Sequence, residues 1–235
     1  MSRRFCAHRG LSGLTPENTM PSFAAAMALG ADEIEFDVRL TRDGHMVVSH
    51  EFRLERISDR TGFTYDQTLA DLLTLNVGRD LGWDVRFCLP EEVFEAFAGR
   101  MAFNIHVKEA GENGQTIREL VRLAEKYGNT DSIYFAASPE QLEWAQKIAP
   151  EIPRCANQAP VDTIHIREMA RRYGCSRVQL CLGMFDQELI EQLHRDGLSC
   201  NLYFGDTPED FERYFGMGVD TLLTNRMDRA KVWRG

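Results

Sequence analysis

The chain has 235 residues, 43% of them hydrophobic and 27% charged, with 14 Phe, 6 Tyr and 3 Trp. That much apolar surface excludes a disordered chain, and the longest apolar stretch, Phe23 to Ala31, is far short of the ~20 residues that span a membrane as a helix. A formal net charge of −9 argues against a nucleic-acid partner but not against a small anionic substrate, whose binding depends on local charge.

Met1-Ser2-Arg3-Arg4 leads at once into a strand-like run, Phe5-Cys6-Ala7. No apolar core of a signal peptide is read there. Asn18 to Leu29 is expected as a helix ended by Gly30. From Glu33 to Leu40, Ile34, Phe36, Val38 and Leu40 alternate with Glu33, Glu35, Asp37 and Arg39. That is the period of a strand. Asp43-Gly44 signals a hairpin, and Met46 to His50 is the returning strand. Glu51 to Leu89 breaks the rhythm and is expected as an irregular excursion.

Alternation then resumes. Pro90 to Phe97 is expected as a helix with proline in its first turn, Met101 to Val107 as a strand, and Gln115 to Tyr127 as a helix. Ser132 to Ala136 follows as a strand, Pro139 to Ile148 as a helix, Arg154 to Ala156 as a strand and Ile164 to Tyr173 as a helix. Strands over Arg177–Cys181, Leu198–Phe204 and Thr221–Leu223 alternate with helices over Gln187–Arg195, Pro208–Phe215 and Met227–Trp233. With the hairpin counted as part of the second unit, the total is about eight strand–helix units, the arithmetic of a closed TIM (β/α)8 barrel. An open doubly wound sheet would favour a G-x-G-x-x-G turn, and the chain has none. The expectation is one domain over 1–235, with 51–89 as a small insertion.

In a barrel the chemistry sits at the C-terminal ends of the strands. Glu35 and Asp37 lie two apart on one strand and share a face. With Phe36 and Val38 turned toward the helices, both carboxylates face the barrel mouth, where they repel unless a cation or a proton lies between them. Hard oxygen ligands suit Mg²⁺ or Ca²⁺. His106 and Lys108 share a face in the same way. His8-Arg9-Gly10 ends the first strand, where Arg9 is a planar clamp for phosphate and Gly10 permits a close turn. His8 and His50 can divide acid and base work. The six cysteines form no C-x-x-C pair and read as reduced, buried thiols of a cytoplasmic protein.

The segments Ala7-His8-Arg9-Gly10, Pro16-Glu17-Asn18-Thr19, Ile34 to Val38, Thr41-Arg42-Asp43-Gly44 and Val47-Val48-Ser49-His50 follow one another in the order and spacing of the glycerophosphodiester phosphodiesterase family. Asn104 to Lys108 resembles its third-strand motif, and Gly218 to Arg226 its last strand and loop. The resemblance implies a TIM barrel with an insertion after the hairpin. It implies hydrolysis of small-molecule glycerophosphodiesters to glycerol 3-phosphate and an alcohol, through attack by the substrate's own glycerol hydroxyl and a cyclic phosphate that water opens. By that pattern His8 and His50 are the acid/base pair, and Arg9 and Lys108 hold the phosphate. Glu17 and Tyr203 join the substrate-binding set, and Glu35, Asp37 and His106 are the metal ligands. The family has Glu where this chain has His106, and that change admits Mn²⁺ or Zn²⁺ beside Mg²⁺ or Ca²⁺. It also has Asp and Pro in the last loop, where Asn225 and Met227 stand, and Asp where Glu51 follows His50. A related diesterase acting on another diester or lipid headgroup, and a phosphate-binding protein with an impaired metal site, are the alternatives. Leu54, Ile57 and Phe63 are too few apolar loop residues for a lipase. The helix exteriors mix charged and apolar residues without a clear seam, so they say nothing of the oligomeric state.

Overall fold

The computed structural model describes residues 3–159 and 165–235. Among these residues nine strands form one sheet: β1 (Arg4–His8), β2 (Glu33–Leu40), β3 (Met46–Val48), β4 (Ala102–Val107), β5 (Ile133–Ala137), β6 (Arg154–Asn157), β7 (Arg177–Cys181), β8 (Ser199–Tyr203) and β9 (Thr221–Thr224). All neighbours run parallel except β3, which lies antiparallel on β2. β1 pairs with both β2 and β9, so the eight parallel strands close into a barrel. β3 bonds only the last residues of β2, from Val38 to Leu40, where that strand outruns its barrel neighbour β1.

Among the described residues nine helices follow in chain order: α1 (Met20–Ala28), α2 (Leu69–Leu72), α3 (Pro90–Phe97), α4 (Gln115–Lys126), α5 (Pro139–Ile148), α6 (Ile166–Arg172), α7 (Gln187–Arg195), α8 (Pro208–Gly216) and α9 (Met227–Arg234). The expected α3, α5 and α7 match residue for residue. α1 starts two residues later than expected because Asn18 takes a left-handed φ of 56°. The helix expected from Ile164 is seen from Ile166, Ile164 itself lying outside the described residues. The returning strand stops at Val48, so Ser49 and His50 belong to the loop.

The alternation in β2 has its expected consequence. Phe36 is fully buried against the helix layer, its ring centroid 6.0 Å from Phe23 and 5.7 Å from Phe103. Burying such a ring stabilises the fold by about 1.5–3 kcal/mol. Glu33, Glu35 and Asp37 point the other way and are buried to within 1%. Barrel interiors are usually filled by branched apolar side chains. This one holds amides and acids, which must bond one another. Tyr134 donates to Glu33 at 2.6 Å and accepts from Asn201 at 3.0 Å, and Asn104 donates to Gln179 at 2.8 Å.

Between β3 and α3 the chain runs through three short 3₁₀ turns and α2. α2 is only four residues long, and a capping box between Thr68 and Asp71 satisfies its first amides. Val47, Leu54, Leu72, Leu75 and Phe87 give the excursion its own apolar cluster.

Candidate active site

Strand register sets the layers of the mouth. His8 lies level with Glu35, and Asp37 lies level with His106 one step higher. His106 Nδ1 is 3.2 Å from Asp37 Oδ1 and 3.9 Å from Glu35 Oε1. Lys108 Nζ is 2.9 Å from the same Asp37 oxygen. Asp37 Oδ2 accepts from Asn18 Nδ2 at 2.9 Å, and the Asp37 N–H donates to Asn18 Oδ1 at 3.3 Å. Asn18 therefore grips both the carboxylate and the backbone of Asp37.

Arg9 turns the chain out of β1 with a left-handed φ of 56°. That turn directs its N–H to Glu35 Oε2 at 3.0 Å. Its guanidinium meets Glu17 at 3.0 Å and lies 3.5 Å from Asp37. Gly10 continues the turn at φ +83°, and a Cβ there would fall 2.3 Å from Ser22 Oγ. Only glycine fits both the angle and the contact.

The two histidines are held differently. His8 Nδ1 is 2.8 Å from Asn225 Oδ1, and its ring stacks on Phe204 with centroids 5.6 Å apart. His50 Nδ1 lies 3.3 Å from Glu51 Oε1, and the His50 carbonyl accepts two hydrogen bonds from Arg39, at 2.9 and 2.8 Å. Tyr203 spends its hydroxyl on the Gln158 carbonyl, so Phe204, one residue further on, is the aromatic beside His8. A cavity of about 410 Å³ opens beside this cluster, lined by Arg9, Ser12, Glu17, Glu51, Arg56 and Leu81 among others. A larger cavity of about 590 Å³ lies between α6 and α7 and touches none of these residues.

Two carboxylates and an imidazole lie on neighbouring parallel strands with Arg, Lys and two His around them, an arrangement that can hold a cation and neutralise an anion. Residues 8–229 match the family described as the glycerophosphoryl diester phosphodiesterase family. The chain belongs to that family. It is 31% identical over 225 residues to a glycerophosphodiester phosphodiesterase of Caldanaerobacter subterraneus subsp. tengcongensis, covering 93% of this chain and 92% of that one. It is 30% identical to the uncharacterized protein YqiK of Bacillus subtilis, over 96% of both chains. In fold it is similar to a phosphodiesterase of Oleispira antarctica solved with the product sn-glycerol-3-phosphate, with a TM-score of 0.90, 24% identity, and coverage of 98% of this chain and 96% of that one.

In this family member the charges of the mouth shift one another strongly. Burial and the neighbouring Asp37 raise the Glu35 carboxyl to about 8. Burial also works against ionised Asp37, but Lys108, His106 and Arg9 outweigh it and hold Asp37 well below its ordinary value. Burial, aided by Arg9, lowers His8 to about 3. Burial and Lys108 lower His106 to about 4. Burial lowers His50 to about 4, with Lys108 and Arg9 adding to it against Asp37. All three imidazoles are therefore neutral near pH 7. A neutral imidazole can ligate a metal or accept a proton.

Glu35, Asp37 and His106 offer donor atoms within 4.8 Å of one another, and this donor set fits a divalent cation. Asp37 Oδ1 is buried with no hydrogen-bond partner, only its ion pairs to Lys108 and His106. A cation would displace the Glu35 proton and relieve the repulsion from Asp37. The second nitrogen of His106, Nε2, is 3.3 Å from the donor Asn157 Nδ2; ligation through Nδ1 puts the ring proton on Nε2 and so requires Asn157 to turn its amide oxygen toward the ring. A second group, His194, Cys200 and Asp220, lies at the opposite end of the barrel. Asp220 there accepts the Cys200 N–H at 2.8 Å and faces His194 Nε2 at 3.0 Å.

Sequence reasoning did not give Asn18, Arg39, Asn157, Phe204, Asp206 or Asn225 a role. Asn18 sits in the Pro16-Glu17-Asn18-Thr19 motif and Asn225 in the last-loop motif, so both carried a signal. Arg39, Asn157 and Asp206 carried none, because their partners are distant in sequence.

Proposed function

We propose that this chain hydrolyses glycerophosphodiesters to glycerol 3-phosphate and an alcohol, in a divalent-metal-dependent reaction run by His8 and His50. The observation that carries the reading is the convergence of Glu35, Asp37, His106 and Lys108 beside Arg9 at one barrel mouth. Glu35, Asp37 and His106 would hold the metal, which when bound supplies positive charge to the phosphate oxygens. Mg²⁺ or Ca²⁺ suits the two carboxylates, and the imidazole admits Mn²⁺ or Zn²⁺. Arg9 and Lys108 add the remaining positive charge. Glu17 keeps Arg9 in place, taking its guanidinium on both carboxylate oxygens.

His8 takes the proton of the glycerol hydroxyl as that oxygen attacks phosphorus. A bound phosphodiester anion favours the protonated form of His50, and that imidazolium gives its proton to the departing alcohol. In the second step the roles reverse, and water opens the cyclic phosphate. Phe204 closes the side of the mouth next to His8, and Tyr203, its hydroxyl on the Gln158 carbonyl, joins the substrate-binding set from β8. The domain reading is one barrel over 1–235 with 51–89 as its insertion. The location proposed is the cytoplasm, where six free cysteines stay reduced.

A second reading has its own observation. Leu54 is fully buried, so the loop residues named from sequence are not the exposed ones. Seven of the eight exposed large apolar side chains among the described residues lie on loops that lead from strands to helices at the mouth: Leu14, Phe52, Tyr65, Leu81, Trp83, Leu182 and Phe204. Such a rim suits a diester that carries an acyl chain. No helix among the described residues is long and apolar enough to cross a membrane.

The test is hydrolysis of glycerophosphocholine and of lysophosphatidylcholine, each with Mg²⁺, Ca²⁺, Mn²⁺ or chelator. Glycerol 3-phosphate release from the first substrate, abolished by chelator, is expected. Activity on the second alone selects the lipid reading, and activity on neither with any metal refutes both. His8→Ala and His50→Ala should each lower kcat by about 10²–10⁴ with the melting temperature kept, and their effects should not add.

A further inference from the structure

His8 Nδ1 meets the amide of Asn225 at 2.8 Å. Whether the histidine donates or accepts there depends on which end of the amide faces it. Asp206 decides that. Its Oδ2 lies 2.8 Å from the other end of the same amide, while its Oδ1 accepts from the Asn225 N–H at 2.7 Å and from Thr224 Oγ1 at 3.0 Å. An ionised carboxylate only accepts. The end of Asn225 that faces Asp206 is therefore Nδ2, and the end that faces His8 is Oδ1. The reverse orientation would set two acceptor oxygens 2.8 Å apart. Ser12 Oγ, 2.9 Å from Asn225 Oδ1, is also 2.7 Å from the His8 carbonyl, and a hydroxyl that can donate or accept leaves the choice to Asp206.

We infer that Asn225 and Asp206 are positioning residues that hold His8 as the Nδ1–H tautomer, leaving the Nε2 lone pair for the substrate's proton. The inference rests on the reading of His8 as a proton-transfer residue. A neutral imidazole carries one ring proton, so fixing it on Nδ1 frees Nε2. The device differs from a carboxylate placed directly behind the ring. An amide oxygen orients the ring without a full negative charge, so the imidazolium formed in the first step is not trapped and can return its proton in the second. Asp206 acts one bond removed, and it is itself anchored: its N–H donates to Asp210 Oδ2 at 3.0 Å, and its carbonyl accepts from Arg229 at 3.1 Å. Two loops, those after β8 and β9, thus meet behind a residue of β1.

The test reads the tautomer directly by ¹⁵N–¹H NMR of the imidazole rings at neutral pH, with the His8 signals assigned by their loss in His8→Gln. The expected wild-type state is Nδ1–H. Asn225→Leu should move His8 toward Nε2–H and lower kcat by about 10² or more with KM little changed, the signature of a lost tautomer. Asn225→Asp alone puts two carboxylates against each other and should also lose activity. The exchanged pair Asp206→Asn with Asn225→Asp should restore Nδ1–H and bring kcat within about tenfold of wild type, because a carboxylate at 225 accepts from the ring and an amide at 206 donates to that carboxylate. A merely structural role predicts no such rescue. An Nε2–H wild type, or an Asn225→Leu protein that keeps both Nδ1–H and full kcat, overturns the inference. So does an exchanged pair no better than its single variants. If His8→Gln stays active while the wild-type ring is Nδ1–H, the catalytic reading of His8 fails and the positioning stands.

Discussion

His106→Glu is the most informative single change. In the present site an ordinary family carboxylate is replaced by an imidazole 3.2 Å from Asp37 Oδ1 and 3.9 Å from Glu35 Oε1. Restoring a carboxylate adds one negative charge some 4 Å from a dication. At an effective dielectric of about 20 that attraction is about 8 kcal/mol. Two effects offset most of it. The donor bond from the imidazole is lost, and a third carboxylate beside Glu35 and Asp37 raises the proton affinity of the metal-free cluster, so protons compete harder. A net gain of about 1.4–2.8 kcal/mol is expected, a tenfold to hundredfold fall in Kd for Mg²⁺. The pH dependence has a distinct form. His106 lies at about 4, so it does not compete for metal near neutrality. The competing proton sits on Glu35, at about 8. Wild-type affinity should therefore fall about tenfold for each pH unit below about 8, and more steeply once His106 protonates near 4. Calorimetric titration of chelator-treated wild type and variant at about pH 5.5, 7 and 8 measures this. Equal affinities with equal pH dependence would show that His106 is not a ligand and refute the argument.

Arg9→Lys should cut kcat/KM by about 10²-fold with little change in melting temperature, because a point charge cannot reproduce a planar clamp on phosphate; a variant that is only unstable would make Arg9 a structural partner of Glu17. Gly10→Ala should destabilise by about 2–5 kcal/mol in urea unfolding, since φ +83° is strained for alanine and the Cβ meets Ser22; a loss under about 0.5 kcal/mol would show that the turn relaxes freely. The metal-free protein should be most stable near pH 6.5–7. His8, His50 and His106 have folded values below their ordinary 6.5, so their contribution is present above 6.5 and is lost as pH falls toward 4. Glu35 has a folded value above its ordinary 4.5, so its contribution is present at low pH and is lost as pH rises through 8. Saturating Mg²⁺ should remove the alkaline decline, and thermal melts at several pH values with and without the ion check both limbs.

The barrel was legible in the sequence because its signals are local. Strand period, helix period and proline at helix starts all act within a few residues, and α3, α5 and α7 fell where those signals put them. The facing of Glu35 and Asp37 was legible for the same reason, since a two-residue period admits no other partner for Phe36 and Val38. Resemblance in the first fifty residues brought out His8, Arg9, Glu17 and His50 as well. What the sequence could not supply was every relation between elements that only closure of the barrel brings together. Asn225 reaches His8 across 217 positions, and Asn157 reaches His106 across 51. Asp206 matters only because the loop after β8 lies against the loop after β9. The Tyr203 hydroxyl bonds the Gln158 carbonyl 45 positions away and the Phe204 ring stacks on His8, contacts that no local signal announces. A residue's type and its strand period decide which way it points. Which group it meets there, and hence which proton it carries, is decided by parallel register between strands far apart in the chain.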